Sequence, residues 1–153
     1  LARRQPIGVE VAARFRGAVD EAWLRKVVAR VLAAEDVPAG VGVVIAGDAL
    51  VRELNRRYRG QDAPTDVLSF SQREDAGQFV LPPGAPDRLG DVIISLSAAR
   101  RQAKRAGHSV EHEIALLLVH GLLHLMGYDH LTDGQARVME SRQTTLLTSL
   151  GMI

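Results

Sequence analysis

The 153-residue chain carries 19 Lys and Arg against 18 Asp and Glu, a formal net charge of +1, so attraction to a polyanion has to come from local clusters and a basic tail is excluded. Hydrophobic residues at 46% and charged residues at 24% suit one globular domain with its own core and exclude a disordered or fibrous chain. One Trp, two Tyr and three Phe are too few for a base-stacking platform of the RRM or OB kind, and zero cysteines exclude disulfides, thiolate nucleophiles and Cys-built metal sites, leaving His, Asp and Glu as ligands for any metal.

The opening Leu1-Ala2-Arg3-Arg4-Gln5-Pro6 lacks the apolar segment of a signal peptide, so a cytoplasmic location is expected. Residues 7–12 alternate weakly as a short strand. Asp20 is placed to cap a helix running to about residue 35, where Leu24, Val27, Val28, Val31 and Leu32 recur at helical spacing. Pro38 and Gly40 punctuate, and the β-branched run 41–46 predicts a buried strand. Asp48 is expected to cap a second helix reaching about Tyr58, with Leu50, Val51, Leu54 and Tyr58 facing inward. Residues 66–70 read as a strand, and 72–88, rich in Gly, Pro and acidic residues, as a long surface loop of the kind that often carries function.

Residues 90–95 form the next expected strand, after which Ser97 caps a helix closed by Gly107. Ser109 starts a long apolar helix. Its stretch 114–126 is interrupted by His120 and His124 and is shorter than the ~20 residues that span a bilayer, so it predicts a buried helix and no membrane insertion. The pattern breaks at Gly127, and a last helix over 132–150 turns Met139, Leu146, Leu147 and Leu150 to the core. Strands and helices are interspersed, but the last two helices follow without strands. The expected fold is therefore α+β, a single domain over 1–153 with a mixed β-sheet packed with helices.

Three of the five histidines fall within the eleven-residue segment HGLLHLMGYDH, residues 120–130. At ~100° per residue an i, i+4 pair is offset by only about 40°, so His120 and His124 project from one helix face. Gly127 permits a left-handed exit from the helix, which lets the chain turn back and bring His130 to the third corner. Three imidazoles with an open fourth position suit Zn2+ at ~2.0 to 2.1 Å, with a bound water whose pKa falls towards 7. An HxxxH pair alone more often describes two histidines packing or capping a core helix than a metal site; the third histidine and the turn glycine reverse that reading. Surrounding leucines are expected to supply a dry shell, and Asp129 to orient a ligand imidazole. His108 and His112 lack this context and are expected at solvent-facing helix positions.

The spacing HxxxHxxGxxH is that of the metzincin proteases, which implies a metalloproteinase-like metal site on a long helix and the following turn. Gly121, however, stands where those enzymes carry their glutamate general base. The whole segment more closely resembles the signature of the YbeY family of bacterial metal-dependent endoribonucleases that mature ribosomal RNA. A second block, YRGQDAPTDVLSF at 58–70, and a third, LGDVII at 89–94, resemble that family's other markers. Ser71 departs from it, standing where the family commonly has proline, and the first forty residues match only in general pattern.

The resemblance implies that His120, His124 and His130 hold zinc and that Arg59 is the arginine needed for activity. A guanidinium can grip two phosphate oxygens and stabilise charge on a pentavalent phosphorus. Arg52 and Arg56 share a side of the second helix with Arg59, and Arg100, Arg101, Lys104 and Arg105 form an acid-free cluster on the third. Each set either tracks an RNA backbone or is an ordinary solvated face. Asp66 and Asp91 are read as capping or orienting their strands. The implied function is cleavage of single-stranded RNA in small-subunit 3′-end maturation and ribosome quality control, with ribosomal RNA precursors and ribosome-associated proteins as partners. The rivals are a zinc metallopeptidase and a ribosome-associated binding protein with structural zinc.

Overall fold

Val41, Val43 and Ile45 enter the main core, while the alternating Val44 and Ala46 face a second, smaller cluster, as the two-residue period of a strand buried on both faces requires. The computed structural model describes residues 7–72 and 88–152 and makes this segment the second of four strands. These are β1 (Ile7–Val11), β2 (Gly40–Ala46), β3 (Val67–Ser71) and β4 (Arg88–Ser95). Five α-helices accompany them among the described residues: α1 (Glu21–Ala34), α2 (Asp48–Arg59), α3 (Leu96–Ala106), α4 (Val110–Leu125) and α5 (Asp133–Ser149). The sheet order is β1-β2-β4-β3, with β1, β2 and β4 parallel and β3 antiparallel to β4. This is the mixed sheet of an α+β domain, and among the described residues β3 is an edge.

One face of the sheet carries α1 and α4. Leu24, Val27 and Val31 of α1 and Leu118 and Leu122 of α4 share a single core with Val92 and Ile94 of β4, and α5 joins it through Met139, Leu146 and Leu147. Each such side chain contributes roughly 1.5 to 3 kcal/mol by leaving water. The other face is covered by α2 over a small cluster of Ala46, Val51, Leu68 and Ile93. This narrow strip accommodates Val51 and part of Leu54, so Leu50 and Tyr58, expected to face inward, are 47% and 61% exposed. Among the described residues no helix is long and apolar enough to cross a membrane.

Two helix starts differ from the expected ones. Asp20 caps α1 as read, accepting from the Trp23 N–H at 3.2 Å. Asp48, however, lies inside the first turn of α2, whose N-cap is Gly47. Its carboxylate instead reaches across to the Ser95 hydroxyl at 2.7 Å and the Arg101 guanidinium at 2.9 Å. Similarly, α3 is capped by Ser95, which accepts from the Ala98 N–H at 3.1 Å, rather than by Ser97. The reason is that β4 runs into α3 without a loop, so the cap falls on the last strand residue. Most of the loop expected at 72–88 lies outside the described residues, and β4 begins two residues before its expected start.

Hydrogen bonds from Arg101, then from Ser95, hold the Asp48 carboxyl below the usual aspartate range. A carboxylate whose pKa is depressed on folding adds stability above its ordinary pKa and loses it as pH falls through the folded value. Asp48→Asn should therefore lower the melting temperature at neutral pH, and only slightly for so exposed a pair. The gap to the parent protein should close on acidification below the ordinary aspartate range. A gap that is constant with pH, measured by thermal denaturation, would show that charge is not the source.

Candidate metal centre

The Ser109 side chain caps α4 by accepting from the His112 N–H at 3.0 Å, and the helix then carries His120 and His124 one turn apart near its C-terminal end. After Leu125 the chain reverses. Gly127 takes φ +96°, and the N–H groups of Gly127 and Tyr128 donate to the carbonyls of His124 and Leu123 at 3.1 and 3.0 Å. The Asp129 carboxylate accepts from the His130 main-chain N–H at 2.8 Å, so this residue shapes the turn and not a ligand ring as expected. The result is convergence: one ring nitrogen from each of His120, His124 and His130 lies within 4.8 Å of the others.

Two contacts from distant parts of the chain lock this arrangement. The Gln143 amide oxygen on α5 lies 3.0 Å from His120 Nδ1, and in the tautomer in which Nδ1 donates to it, Nε2 is the nitrogen left to hold a metal. Glu35, after α1, accepts from the Tyr128 hydroxyl at 3.1 Å and from Arg142, tying the turn to both flanking helices. Neither Gln143 nor Glu35 is apparent in sequence, because 23 and 93 residues separate them from their partners. Burial, reinforced by the neighbouring His120 and His130, pushes the His124 imidazole below its ordinary pKa. This favours the neutral ring that a metal requires.

The expected apolar shell exists on one side only. Leu122 and Leu123 are fully buried behind the rings, whereas the front opens into a polar cavity of about 760 Å³. Arg59 lines that cavity with the three histidines. It stands at the last position of α2, before Gly60 in a left-handed conformation at φ +68°, and donates to the Ser69 main-chain carbonyl. Buried Asn55 fixes the loop beyond: its side-chain N–H donates to the Ala63 carbonyl at 3.0 Å, and its main-chain carbonyl accepts from Gln61 at 3.2 Å.

Arg52 and Arg56 are not brought to the cavity lining; Arg52 pairs with Asp62 at 2.7 Å and Arg56 with Glu53 at 2.5 Å. Arg57, passed over in the sequence, is exposed and has no hydrogen bond or ion pair among the described residues. Within the other basic cluster, Arg101 is matched by Asp48 at 2.9 Å. Asp66 accepts from Gln102 at 3.0 Å and Asp91 from Arg88 at 2.9 Å, both orienting roles as read. His108 precedes α4 instead of lying on a helix, bonds the buried Glu113 at 2.6 Å and stacks on half-buried His112, so neither histidine is the solvent-facing residue expected.

Gly121 faces the sheet. A Cβ there would lie 2.7 Å from Val92 Cγ1 and 3.1 Å from Ser69 Oγ, and the Ser69 hydroxyl donates to the Gly121 carbonyl at 3.0 Å. A glutamate in this place has no room for even its first side-chain carbon.

The family model described as endoribonuclease YbeY matches residues 12–151. An endoribonuclease YbeY from Roseiflexus sp. (strain RS-1) is 43% identical over 149 residues, which cover 95% of this chain and 93% of the relative. One from Chloroflexus aggregans is 45% identical over 147 residues, covering 94% and 96%. A solution structure of a Thermotoga maritima protein superposes with a TM-score of 0.63 at 25% identity, over 92% of this chain and 86% of that one.

His120→Ala, His124→Ala and His130→Ala should each fail to retain stoichiometric zinc after dialysis, since two imidazoles do not replace a three-point chelate. Gln143→Ala should weaken zinc affinity roughly ten- to hundredfold in a competition titration while the three rings remain. For Gly121→Ala, the ~1 kcal/mol of helix propensity gained is outweighed by overpacking of about 1 to 3 kcal/mol against Val92. Thermal denaturation should show a net loss; a more stable variant would mean that α4 can lift from the sheet.

Proposed function

This chain belongs to the endoribonuclease YbeY family, and from that premise we propose that it is a zinc-dependent endoribonuclease cutting single-stranded RNA, acting in the cytoplasm on the 3′ end of small-subunit ribosomal RNA precursors and on defective ribosomes, with ribosome-associated proteins as partners. The observation that carries this reading is that Arg59 and three convergent imidazoles line one cavity. The donor set fits zinc: three nitrogens, one on an imidazole that burial shifts towards the neutral form, on the wall of a polar space with room for a further ligand. Zinc in this position supplies Lewis acidity and a water of lowered pKa.

The chain's own groups do the rest. Gln143 holds the His120 ring at Nδ1, and the Asp129 carboxylate sets the main chain at His130. Arg59 is anchored through one guanidinium nitrogen to the Ser69 carbonyl, which leaves other N–H groups of the same rigid fork for phosphate oxygens. Because its orientation is fixed before substrate arrives, charge stabilisation at phosphorus costs little reorganisation. A peptidase would need a carboxylate beside the metal, and the metzincin position for it is Gly121, packed on Val92 and Ser69. A purely structural zinc is disfavoured by three donors standing at an open cavity of about 760 Å³.

Titrating metal-free protein with zinc, while following a labelled single-stranded RNA beside a peptide pool, separates these readings. Zinc-dependent RNA cutting with intact peptides is expected. Peptide cutting alone, or zinc uptake with no cutting of either, would overturn the reading. Arg59→Lys should reduce RNA cleavage about ten- to hundredfold, the equivalent of ~1.5 to 3 kcal/mol from a lost charge-assisted hydrogen bond, with zinc content and fold retained. Lysine keeps the charge but lacks the planar fork that serves Ser69 and phosphate together. Near-normal turnover by the zinc-loaded variant would remove Arg59 from the phosphate.

A further inference from the structure

Tyr58 is one of only six aromatic residues apart from histidine, yet it is 61% exposed, and its hydroxyl makes no hydrogen bond among the described residues. Burial does not account for a large apolar ring at this point, and neither does a polar anchor. The ring is nevertheless held. It packs edge-on with Phe70 of β3, centroids 5.5 Å apart at 68°, and half-buried Phe70 is itself seated on the cluster of Val51, Leu68 and Ile93. Phe70 also neighbours Arg59, whose Cζ lies 5.2 Å from the Phe70 centroid. Arg59, which lines the cavity, and exposed Tyr58 thus share one supporting ring.

Resting on the reading of the cavity as an RNA-cleaving site, we propose that Tyr58 is a nucleobase-stacking subsite that takes the base of a nucleotide next to the scissile phosphate. The phosphate bound at Arg59 and the base laid on Tyr58 belong to neighbouring positions of one strand, because Tyr58 and Arg59 are consecutive and share Phe70 as their support. Every base has a π-face, so a single stacking ring adds affinity without demanding a sequence. In a duplex the faces are already occupied by neighbouring bases, so the same ring selects unpaired RNA. Exposed Arg57, which makes no hydrogen bond or ion pair among the described residues, lies one residue before the ring and offers charge to the adjoining backbone. The few aromatics of this chain exclude a platform for several bases, and one subsite needs only one ring.

The test uses the full chain and a labelled single-stranded oligoribonucleotide. Dissociation constants come from fluorescence anisotropy of the metal-free protein, and KM from cleavage by the zinc-loaded protein. Tyr58→Leu should raise both about five- to hundredfold, with an unchanged melting temperature, while Tyr58→Phe, which keeps the ring, rescues binding. A series of substrates with one abasic ribonucleotide moved along the strand should reveal one position whose loss costs the parent protein that same factor and costs Tyr58→Leu nothing further. Tyr58→Leu binding as tightly as the parent, Tyr58→Phe as weak as Tyr58→Leu, or abasic penalties that simply add would each overturn the subsite while leaving zinc-dependent cleavage standing. A parent protein that neither binds nor cuts the RNA would overturn the RNA reading of the cavity and the subsite with it.

Discussion

Ser69 joins the two halves of the site. Its hydroxyl donates to the carbonyl of Gly121 in the middle of α4, and its main-chain carbonyl accepts from Arg59 at the end of α2. The first contact exists only because Gly121 has no side chain, since a Cβ would lie 2.7 Å from Val92 Cγ1. The helix therefore rests directly on β3 and β4, and His120 and His124, immediately before and three residues after the glycine, emerge beside the edge strand. A side chain at this position would have to displace Val92 or Ser69, the residues on which this part of α4 is seated. The absence of a side chain here is thus a packing requirement.

The same edge explains the charge pattern. The chain has almost no net charge, and several of its arginines are taken up by neighbouring carboxylates: Arg52 by Asp62, Arg56 by Glu53 and Arg101 by Asp48. Such exposed pairs add little to stability, but each occupies a cation that could otherwise meet a polyanion. Arg59 differs because its fixed partner is a neutral carbonyl, so its positive charge is oriented without being cancelled. Its charge is therefore held beside the three convergent imidazoles instead of being spread over a basic patch.

The turn after α4 depends on packing from elsewhere. Glu35 at the end of α1 takes hydrogen bonds from Tyr128 and Arg142, and Gln143, one residue further along α5, reaches His120. One short segment of α5 thus steadies both the helix-borne ligand and the loop that carries His130. Among the described residues, every fully buried side-chain nitrogen or oxygen has a partner, so this polar support is not left unsatisfied at the back of the site.

Local physics made a large part of this legible in the sequence. The apolar spacing of α1, the β-branched run of β2 and the HxxxHxxGxxH pattern depend on periodicities of the chain itself, and the structure contains all three. Helix starts at α2 and α3 were less legible, because Asp48 and Ser95 have partners of opposite character far along the chain and a cap cannot be told from a bridge by residue type alone. Inwardness on α2 also escaped the pattern: Tyr58 sits at a helical apolar position, but the sheet face beneath α2 is too narrow to cover it. Sequence by itself therefore determined which residues are able to ligate a metal and which helix bears them. Tertiary structure alone decided that Gly121 packs on Val92 and Ser69, that Gln143 bonds the His120 ring, and that Arg59, rather than Arg52 or Arg56, reaches the cavity. Those outcomes depend on which surfaces meet across tens of residues, and contacts of that range leave no period in the chain.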